Sequence, residues 1–502
     1  MARLTLTPTA VVHLLALLSA TLGLALSPAE DIGNIDSYVR AQMEAAQVPG
    51  LALGVVQGDR VLHLRGFGAA DDSGRAVSPQ TPFNLGSVTK SFTAMAVMQL
   101  VEKGQIQLDA PVQQYLPWFR LAGGAASSVV TVRELLNQTS GIGTGQGEDV
   151  SLCRPRTTPE DMVRSLAKVW PRALPGRSFQ YADANYITLG VLVEAVSGQP
   201  YADYVQQHIL APLDMTNTFL SGEQALQHGV AVGHGTVAGR SEASPPGYFC
   251  PGYLGASFIV STAQDMTHWL IAHLNQGRYG SRSVLSPAGI AELHRPAVPA
   301  ESLFGPGSGY GMGWFAGNGL GAPVIWHGGD DSYFHSDVLM APKQHLGVVA
   351  LMNASVLRSP YAIPRASIPA LVLASLVEAN MPFGLGVPAL LVLIVMAQAA
   401  LTLRLVVVLR RGRLGPGPAT VGGAARHMVA PLLINMAWAV LVLAPLLWLM
   451  TNLYSGLPLL LLLPWHVSLL LVSGAFAAAW ALARTGLVVV VRARRRNMER
   501  TC

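Results

Sequence analysis

The chain has 502 residues, of which 51% are hydrophobic and only 12% are charged. Globular domains usually contain roughly 100 to 200 residues and carry about 25% charged residues. The length therefore predicts more than one structural unit. The composition excludes a disordered chain, which lacks enough apolar surface to form a core, and it argues against a purely water-soluble protein.

The net charge of +5 is unevenly distributed along the chain. From residue 383 onward there are 11 Arg, no Lys and one acidic residue, Glu499, so this part carries +10 and the preceding part −5. Because the body has no basic stripe with interleaved aromatic residues, we expect no nucleic-acid partner. The cysteines Cys153, Cys250 and Cys502 lack metal-binding spacing, and we expect no metal or cofactor. Cys153 and Cys250 can pair if the body is extracytoplasmic.

The N-terminal segment, residues 1–29, is typical of a secretory signal peptide. Arg3 precedes an apolar run from Thr9 to Leu26, and a small-residue cleavage site follows at Ala29. The alternative is an N-terminal anchor that is not cleaved. Both interpretations place the following body, residues 30–380, on the far side of the membrane.

The body is predicted to begin with a helix and a hairpin, continue through helices and end with strands. In chain order these are helix 32–46, strands 51–57 and 60–66, helices 91–103, 132–137, 159–169, 186–197, 201–210 and 263–274, strands 324–327, 336–340 and 347–353, and helix 363–380. Strands at both ends with helices between them are typical of an α+β domain whose sheet joins the two ends of the chain. This arrangement predicts a cleft between the sheet and the helical region.

Three long apolar stretches follow the body, at residues 385–409, 429–451 and 457–482. Each reaches the roughly 20 residues that a helix needs to cross a bilayer. Arg residues cluster in the first loop and in the tail, residues 483–502, whereas the second loop is uncharged. The positive-inside rule then predicts three transmembrane helices in a bacterial inner membrane, with the body in the periplasm and the Arg-rich tail in the cytoplasm. Membrane lipid is therefore an expected partner.

A first catalytic motif combines Ser87 and Lys90. A serine hydroxyl is a weak nucleophile that needs a base beside it. A lysine one helical turn later projects on the same face, and it can serve as that base when burial disfavours its charged form. A second S-x-x-K, Ser165 to Lys168, shows that the pattern alone is not specific. We favour Ser87 because it begins an apolar helix directly after the hairpin, whereas Ser165 lies inside a predicted helix.

A second motif surrounds Tyr181, just before a predicted helix. A phenol held near a cationic lysine can relay a proton. The alternative is an ordinary buried tyrosine whose hydroxyl is hydrogen-bonded.

A third motif, Trp326-His327-Gly328-Gly329-Asp330-Asp331, ends a predicted strand. Consecutive glycines such as Gly329 allow a substrate backbone to approach an edge strand closely. The backbone N–H of Asp330, with that of Ser87, would form an oxyanion hole. The alternative is a Gly-rich turn with His327 at the surface.

Together, in this order and spacing, the three motifs resemble the serine β-lactamase/DD-peptidase superfamily on its class C side. The resemblance covers about residues 30–375 and includes further similar stretches at 131–141, 212–215, 261–266 and 310–314. It implies a class C β-lactamase-like fold, a sheet with a helical region. It also implies that Ser87 is the acylated nucleophile, Lys90 its base and Tyr181 the proton shuttle, and that His327 takes the place of the lysine in the K-T-G element.

The signal peptide, the hydrolase body and the three spans together look like the membrane-anchored prodrug-activating peptidases of the colibactin and zwittermicin type. That resemblance implies periplasmic removal of an N-acyl-D-amino acid, commonly N-acyl-D-Asn, from a peptide-like precursor, with an exporter as a further partner. The alternatives are a DD-carboxypeptidase, β-lactamase or esterase on the same fold, and a penicillin-binding sensor that is acylated without turnover.

The chain departs from these families at two acidic positions. Asp183 stands where the broad family usually has Asn and the colibactin-type enzyme has Ser, and Asp331 stands where that type places an Asn. One hypothesis is a more acidic pocket that accepts a cationic D-residue, because a buried carboxylate attracts an ammonium or guanidinium group. The alternative is that both carboxylates point to water.

Overall fold

The computed structural model describes residues 33–124, 127–147, 157–237, 240–300, 308–319 and 322–355, together with Val372. Nearly all of them belong to one compact unit, and residues 235–237, 240–242 and Ser355 belong to a second. No helix among the described residues is long and apolar enough to span a bilayer. The predicted signal peptide, transmembrane helices and Arg-rich tail, and helix 363–380 apart from Val372, lie outside the described residues.

The strands in chain order are β1 Gly50–Gln57, β2 Arg60–Gly68, β3 Phe83–Asn84, β4 His234–Val237, β5 Arg240–Ala243, β6 Val260–Ser261, β7 Arg278–Tyr279, β8 Arg282–Ser283, β9 Val298–Pro299, β10 Gly309–Tyr310, β11 Phe315–Gly319, β12 Ala322–Asp330, β13 His335–Ala341 and β14 Leu346–Met352. The α-helices are α1 Gly33–Ala46, α2 Thr89–Glu102, α3 Val132–Leu136, α4 Pro159–Ser165, α5 Asp183–Ser197, α6 Tyr201–Val205, α7 Gly222–Gln227, α8 Ala263–Leu274 and α9 Pro287–Leu293.

The main sheet has eight strands in the order β2-β1-β14-β13-β12-β11-β10-β9. This sheet joins the first strands of the body to its last one, because β1 pairs antiparallel with β14 and Leu51 lies opposite Met352. Strands β13 and β14 are buried along their whole length and β1 all but its last residue. Accordingly β1 and β14 are nearly continuous apolar runs rather than alternating ones, whereas β13 begins with the buried polar residues His335, Ser336 and Asp337. The α+β prediction, with a sheet closed by both chain ends, is confirmed.

Several boundaries differ from those predicted. Strand β12 extends through Gly328 and Gly329 to Asp330, because pairing with β13 outweighs the poor strand propensity of glycine. Helix α5 begins at Asp183, three residues earlier than predicted, with its acidic residue in the favourable first turn. The predicted helix 201–210 is α-helical only to Val205 and continues as a π-helix, Gln206–Leu210.

Helix α2 lies at the centre of the core. Its residues from Thr89 to Leu100 are all buried, as expected of a helix that is apolar on every side. Phe92 on α2 stacks on Trp269 of α8 with ring centroids 3.9 Å apart, and both side chains are fully buried. This packing holds α2 rigidly against the helix behind it.

Cys250 is disulfide-bonded. Its partner lies outside the described residues, as does Cys153, which the sequence allows as the partner if the body is extracytoplasmic. A disulfide is typical of proteins that fold in an oxidising compartment.

Replacing Trp269 with Ala should lower the free energy of unfolding by about 3–5 kcal/mol, because it removes a large buried side chain from the core. Trp170, of which 68% is exposed, provides a matched control, and Trp170→Ala should change stability by less than about 0.5 kcal/mol. Denaturant unfolding followed by circular dichroism measures both. Equal losses in the two variants would contradict this view of the core.

Candidate active site

Ser87 lies in a tight turn that leads into α2. The turn is a single 3₁₀ segment, Gly86–Val88, and the side chain of Asn84 accepts the N–H of Gly86 at 2.9 Å. Gly86 has φ of +49°, a conformation that glycine adopts without strain. A Cβ at this position would lie 2.8 Å from the backbone nitrogen of Asp330. The turn therefore holds Ser87 directly against the end of β12.

The amine of Lys90 is fully buried and donates to three oxygen atoms. Its Nζ lies 2.9 Å from Oγ of Ser87, 2.5 Å from Oδ1 of Asp183 and 3.1 Å from the carbonyl oxygen of Ala256. These acceptors match the three donors of an ammonium group. The predicted nucleophile and its predicted base are thus within hydrogen-bond distance, and Asp183 completes the set.

Tyr181 lies on the other side of this amine. Its ring centroid is 4.9 Å from Nζ of Lys90, a favourable cation–π distance. The ring packs edge-on to Tyr310, with centroids 6.1 Å apart, and stacks on Phe315. This aromatic cluster holds the half-buried ring of Tyr181 beside the amine of Lys90.

His327 is buried, with 1% of its surface exposed, so the alternative of a surface histidine is wrong. Burial, followed by the positive charge of Lys90, lowers the pKa of His327 to about 3. Its Nδ1 lies 2.7 Å from the carbonyl oxygen of Gly328, which can only accept, so the proton is on Nδ1. Nε2 has no hydrogen-bond partner among the described residues. His327 is therefore a neutral hydrogen-bond acceptor, unlike a lysine, which would be charged and could only donate.

Gly329 makes room for the protein itself rather than for a substrate backbone. A Cβ at this position would lie 1.9 Å from the carbonyl oxygen of Leu85 and 2.6 Å from Oγ of Ser336. Ser336 also donates to that same carbonyl at 2.6 Å. Gly329 is therefore required because the turn that carries Ser87 packs directly on β12 and β13.

The N–H of Asp330 points away from β13. In an antiparallel ladder, alternate residues direct their N–H groups to the same neighbour. The N–H of Asp331 donates to Phe334 across the hairpin, so that of Asp330 faces the opposite edge. Strand β11 pairs with β12 only as far as Trp326, and the described residues provide no strand partner beyond it. The Asp330 N–H therefore lies at an open edge beside Ser87, as an oxyanion donor must.

Asp331 belongs to the turn between β12 and β13. Its Oδ1 accepts the N–H groups of Tyr333 and Phe334 at 2.6 and 2.8 Å, and burial raises its pKa to about 7. Asp183 in turn binds Lys90. The two carboxylates thus bind groups of the protein rather than pointing to water, and their contacts do not support the hypothesis of an acidic substrate pocket.

Three buried polar residues that support the site were not predicted as functional. Gln138 Oε1 accepts the N–H of Ala182 at 3.0 Å and the side chain of Asn185 at 2.5 Å. Ser140 donates to Asn185 at 2.6 Å. They fix the segment between Tyr181 and the start of α5. The signal in the sequence is the polar run from Gln138 to Ser140 directly after an apolar helix.

The comparisons with known proteins agree with this geometry. A family model described as Beta-lactamase matches residues 35–367, about two thirds of the chain, and the chain belongs to that family. Protein flp of Staphylococcus aureus (strain MW2) is 27% identical over 322 residues, which are 64% of this chain and 62% of the relative. The Unguisins hydrolase ungD' of Aspergillus campestris is 28% identical over 356 residues, which are 66% of this chain and 64% of the relative. The chain thus spans less than two thirds of either relative.

A solved structure described as the octameric penicillin-binding protein homologue from Pyrococcus abyssi is 28% identical to this chain, with a TM-score of 0.62. The match covers 70% of this chain and 78% of the other. The family match, the hydrolase name of one relative and this structural likeness support an enzyme of the beta-lactamase-related serine hydrolase type.

We expect Asp183→Asn and Asp183→Ala to separate the charge of this residue from its hydrogen bond. The asparagine retains an acceptor for Lys90, so acylation of Ser87 should slow by less than about tenfold. The alanine leaves a buried amine without that partner and should slow acylation by about 100-fold, because the amine is no longer held in place. Single-turnover labelling by a fluorescent fluorophosphonate measures both rates. Equal losses would contradict a positioning role through the hydrogen bond.

Proposed function

We propose that this chain is a membrane-anchored, extracytoplasmic serine peptidase that cleaves an amide bond through an acyl-enzyme at Ser87. The observation that carries this proposal is the 2.9 Å hydrogen bond between Nζ of Lys90 and Oγ of Ser87 in a buried setting. A proton can pass between a serine and an amine at this distance, which is what activation of the serine requires.

The reaction follows from the arrangement of these groups. The Lys90–Tyr181 pair takes the proton of Ser87 as Oγ bonds to the amide carbon, and the N–H groups of Ser87 and Asp330 stabilise the negative charge on the carbonyl oxygen. The same pair then gives the proton to the leaving nitrogen as the C–N bond breaks. Water hydrolyses the ester in a second step, which releases the acid and restores the serine.

For the substrate we propose an N-acyl-D-aminoacyl amide, as the resemblance to prodrug-activating peptidases implies. An apolar cavity of about 120 Å³ lies next to strand β3, which leads into the turn of Ser87. Leu226, Tyr248 and Phe334 line it, together with Asn84, whose side chain also holds the turn before Ser87. An acyl group can bury apolar surface in such a cavity.

We also propose that the catalytic body faces the periplasm. The disulfide at Cys250 supports an oxidising compartment. The apolar stretches after residue 384 and the Arg clusters that flank two of their ends support an anchor with its tail in the cytoplasm. Such an anchor would keep the enzyme at the membrane, where an exporter could deliver an amphiphilic substrate.

Ser87→Ala should abolish covalent labelling by a fluorophosphonate and lower turnover by at least about 1,000-fold, because it removes the nucleophile. Ser165→Ala is the matched control, since Ser165 begins the other S-x-x-K and its hydroxyl donates to the carbonyl of Met162 at 2.7 Å. This control should be labelled at the unaltered rate. Labelling of Ser87→Ala, located by mass spectrometry of the intact protein and its peptides, would contradict the assignment of the nucleophile.

A substrate panel tests the proposed specificity. N-acyl-D-aminoacyl amides, including the D-Asn and D-Lys forms, are compared with D-Ala-D-Ala peptides, nitrocefin and short-chain esters. We expect the highest kcat/KM for an N-acyl-D-aminoacyl amide. Preference for one of the other substrates would indicate a carboxypeptidase, a β-lactamase or an esterase, and a stable adduct without product release would indicate a sensor.

A further inference from the structure

A chain of three hydrogen-bonded polar side chains lies at the tip of the β12–β13 hairpin; His335 and Asp337 are buried and Asp330 is partly exposed. Nδ1 of His335 is 2.8 Å from Oδ1 of Asp330, and its Nε2 is 2.7 Å from Oδ2 of Asp337. The imidazole is 3% exposed. Asp330 and His335 are directly opposite each other in the sheet register, so their side chains share one face.

The imidazole must carry a proton on both nitrogens to make these two contacts, because a carboxylate oxygen only accepts. Burial by itself lowers the pKa of His335, but the negative charges of Asp337 and Asp330 outweigh it and raise the pKa well above the ordinary value. Among the described residues, the charged groups that face His335 are Asp330 on the neighbouring strand and Asp337 on its own. The carboxylates on its two ring nitrogens thus favour the imidazolium form of His335, while burial also raises the pKa of Asp337.

The end of β12 gains from such a contact because it is paired with a strand on one side only. Beyond Trp326 its other edge has no strand partner among the described residues, and that edge carries the N–H of Asp330. The ladder to β13 and the contact between Asp330 and His335 are therefore the ties that fix this N–H. On the opposite face of β13, Ser336 binds Leu85, which fixes the turn that carries Ser87.

We propose that His335, as an imidazolium, is a positioning residue that holds the oxyanion-binding N–H of Asp330 in place through its bond to the Asp330 carboxylate. This inference rests on the proposed function of Ser87. His335 touches neither the nucleophile nor the substrate and acts through Asp330. The hydrogen bond from Nε2 of His335 to Asp337 orients the ring and places a negative charge beside its second protonated nitrogen.

Two replacements of His335 separate its two hydrogen bonds. The side-chain nitrogen of Asn occupies nearly the place of Nδ1, so His335→Asn can still donate to Asp330. That of Gln occupies nearly the place of Nε2, so His335→Gln can still donate to Asp337 but not to Asp330. Each variant and the unaltered full-length protein are labelled with a fluorophosphonate at a series of concentrations and pH values, and their thermal unfolding is measured in parallel.

We expect the maximal labelling rate of His335→Gln to fall by about 10- to 100-fold, the size expected when a catalytic group is misplaced. Its half-saturating probe concentration should not change, because an oxyanion donor acts mainly in the transition state. His335→Asn should remain within about threefold of the unaltered protein. In the unaltered protein, labelling should decline as pH rises through the elevated pKa of His335, since a neutral imidazole has one N–H to donate. His335→Asn should lack this decline.

Three results would decide against these claims. Labelling of His335→Gln at the unaltered rate overturns the inference alone. Equal rate losses in both variants, in proportion to equal losses of thermal stability, show a merely structural role and also overturn it. No labelling of the unaltered protein overturns the proposed function, and the inference with it.

Discussion

The candidate site depends on one buried amine. The amine of Lys90 has no access to water, and a charged or polar group in that position is costly unless it is fully hydrogen-bonded. Its three acceptors come from three separate parts of the chain: the turn before α2, the first residue of α5 and the loop before β6. The hydrogen bonds of this one amine therefore hold together the segments that carry Ser87 and Asp183. Tyr181 is held with them because it lies just before the start of α5.

The packing around this amine explains why several small residues are required. The turn at Ser87 lies so close to β12 that neither Gly86 nor Gly329 has room for a side chain. This contact places the N–H of Asp330 beside the nucleophile without any bond between their side chains. Strand β13 supports the contact from both faces, through Ser336 on one and His335 on the other. The catalytic geometry is thus a product of backbone contact between a helix start and a strand end.

The sequence predicted those features that depend on residues close together in the chain, such as helical spacing, turn residues and apolar runs. The spacing of Ser87 and Lys90 is one helical turn, and their contact follows from it. The β1–β2 hairpin and the burial of α2 follow equally from turn residues and apolar runs. The joining of β1 to β14 could also be expected, since two sets of strands flank one set of helices. The comparison with the beta-lactamase family extends over the same residues.

The remaining features arise from contacts between distant segments, which one sequence does not reveal. Asp183 lies 93 positions from Lys90 along the chain. Sequence spacing therefore could not show that its carboxylate binds Lys90 rather than a substrate. Burial keeps His327 neutral, whereas the carboxylates of Asp330 and Asp337 favour the charged form of His335 in spite of its burial, and one sequence shows neither environment. Gly329 has the features of a substrate-facing glycine in the sequence, but the space in front of it is filled by Leu85.

An experimental structure of the protein after reaction with a phosphonate tests the central claim most directly. The account predicts phosphorus bonded to Oγ of Ser87 and one phosphonyl oxygen within hydrogen-bond distance of the nitrogens of Ser87 and Asp330, with the amine of Lys90 still beside Asp183. A phosphonate on any other residue, or an amine of Lys90 turned away from the Ser87 oxygen, would contradict it.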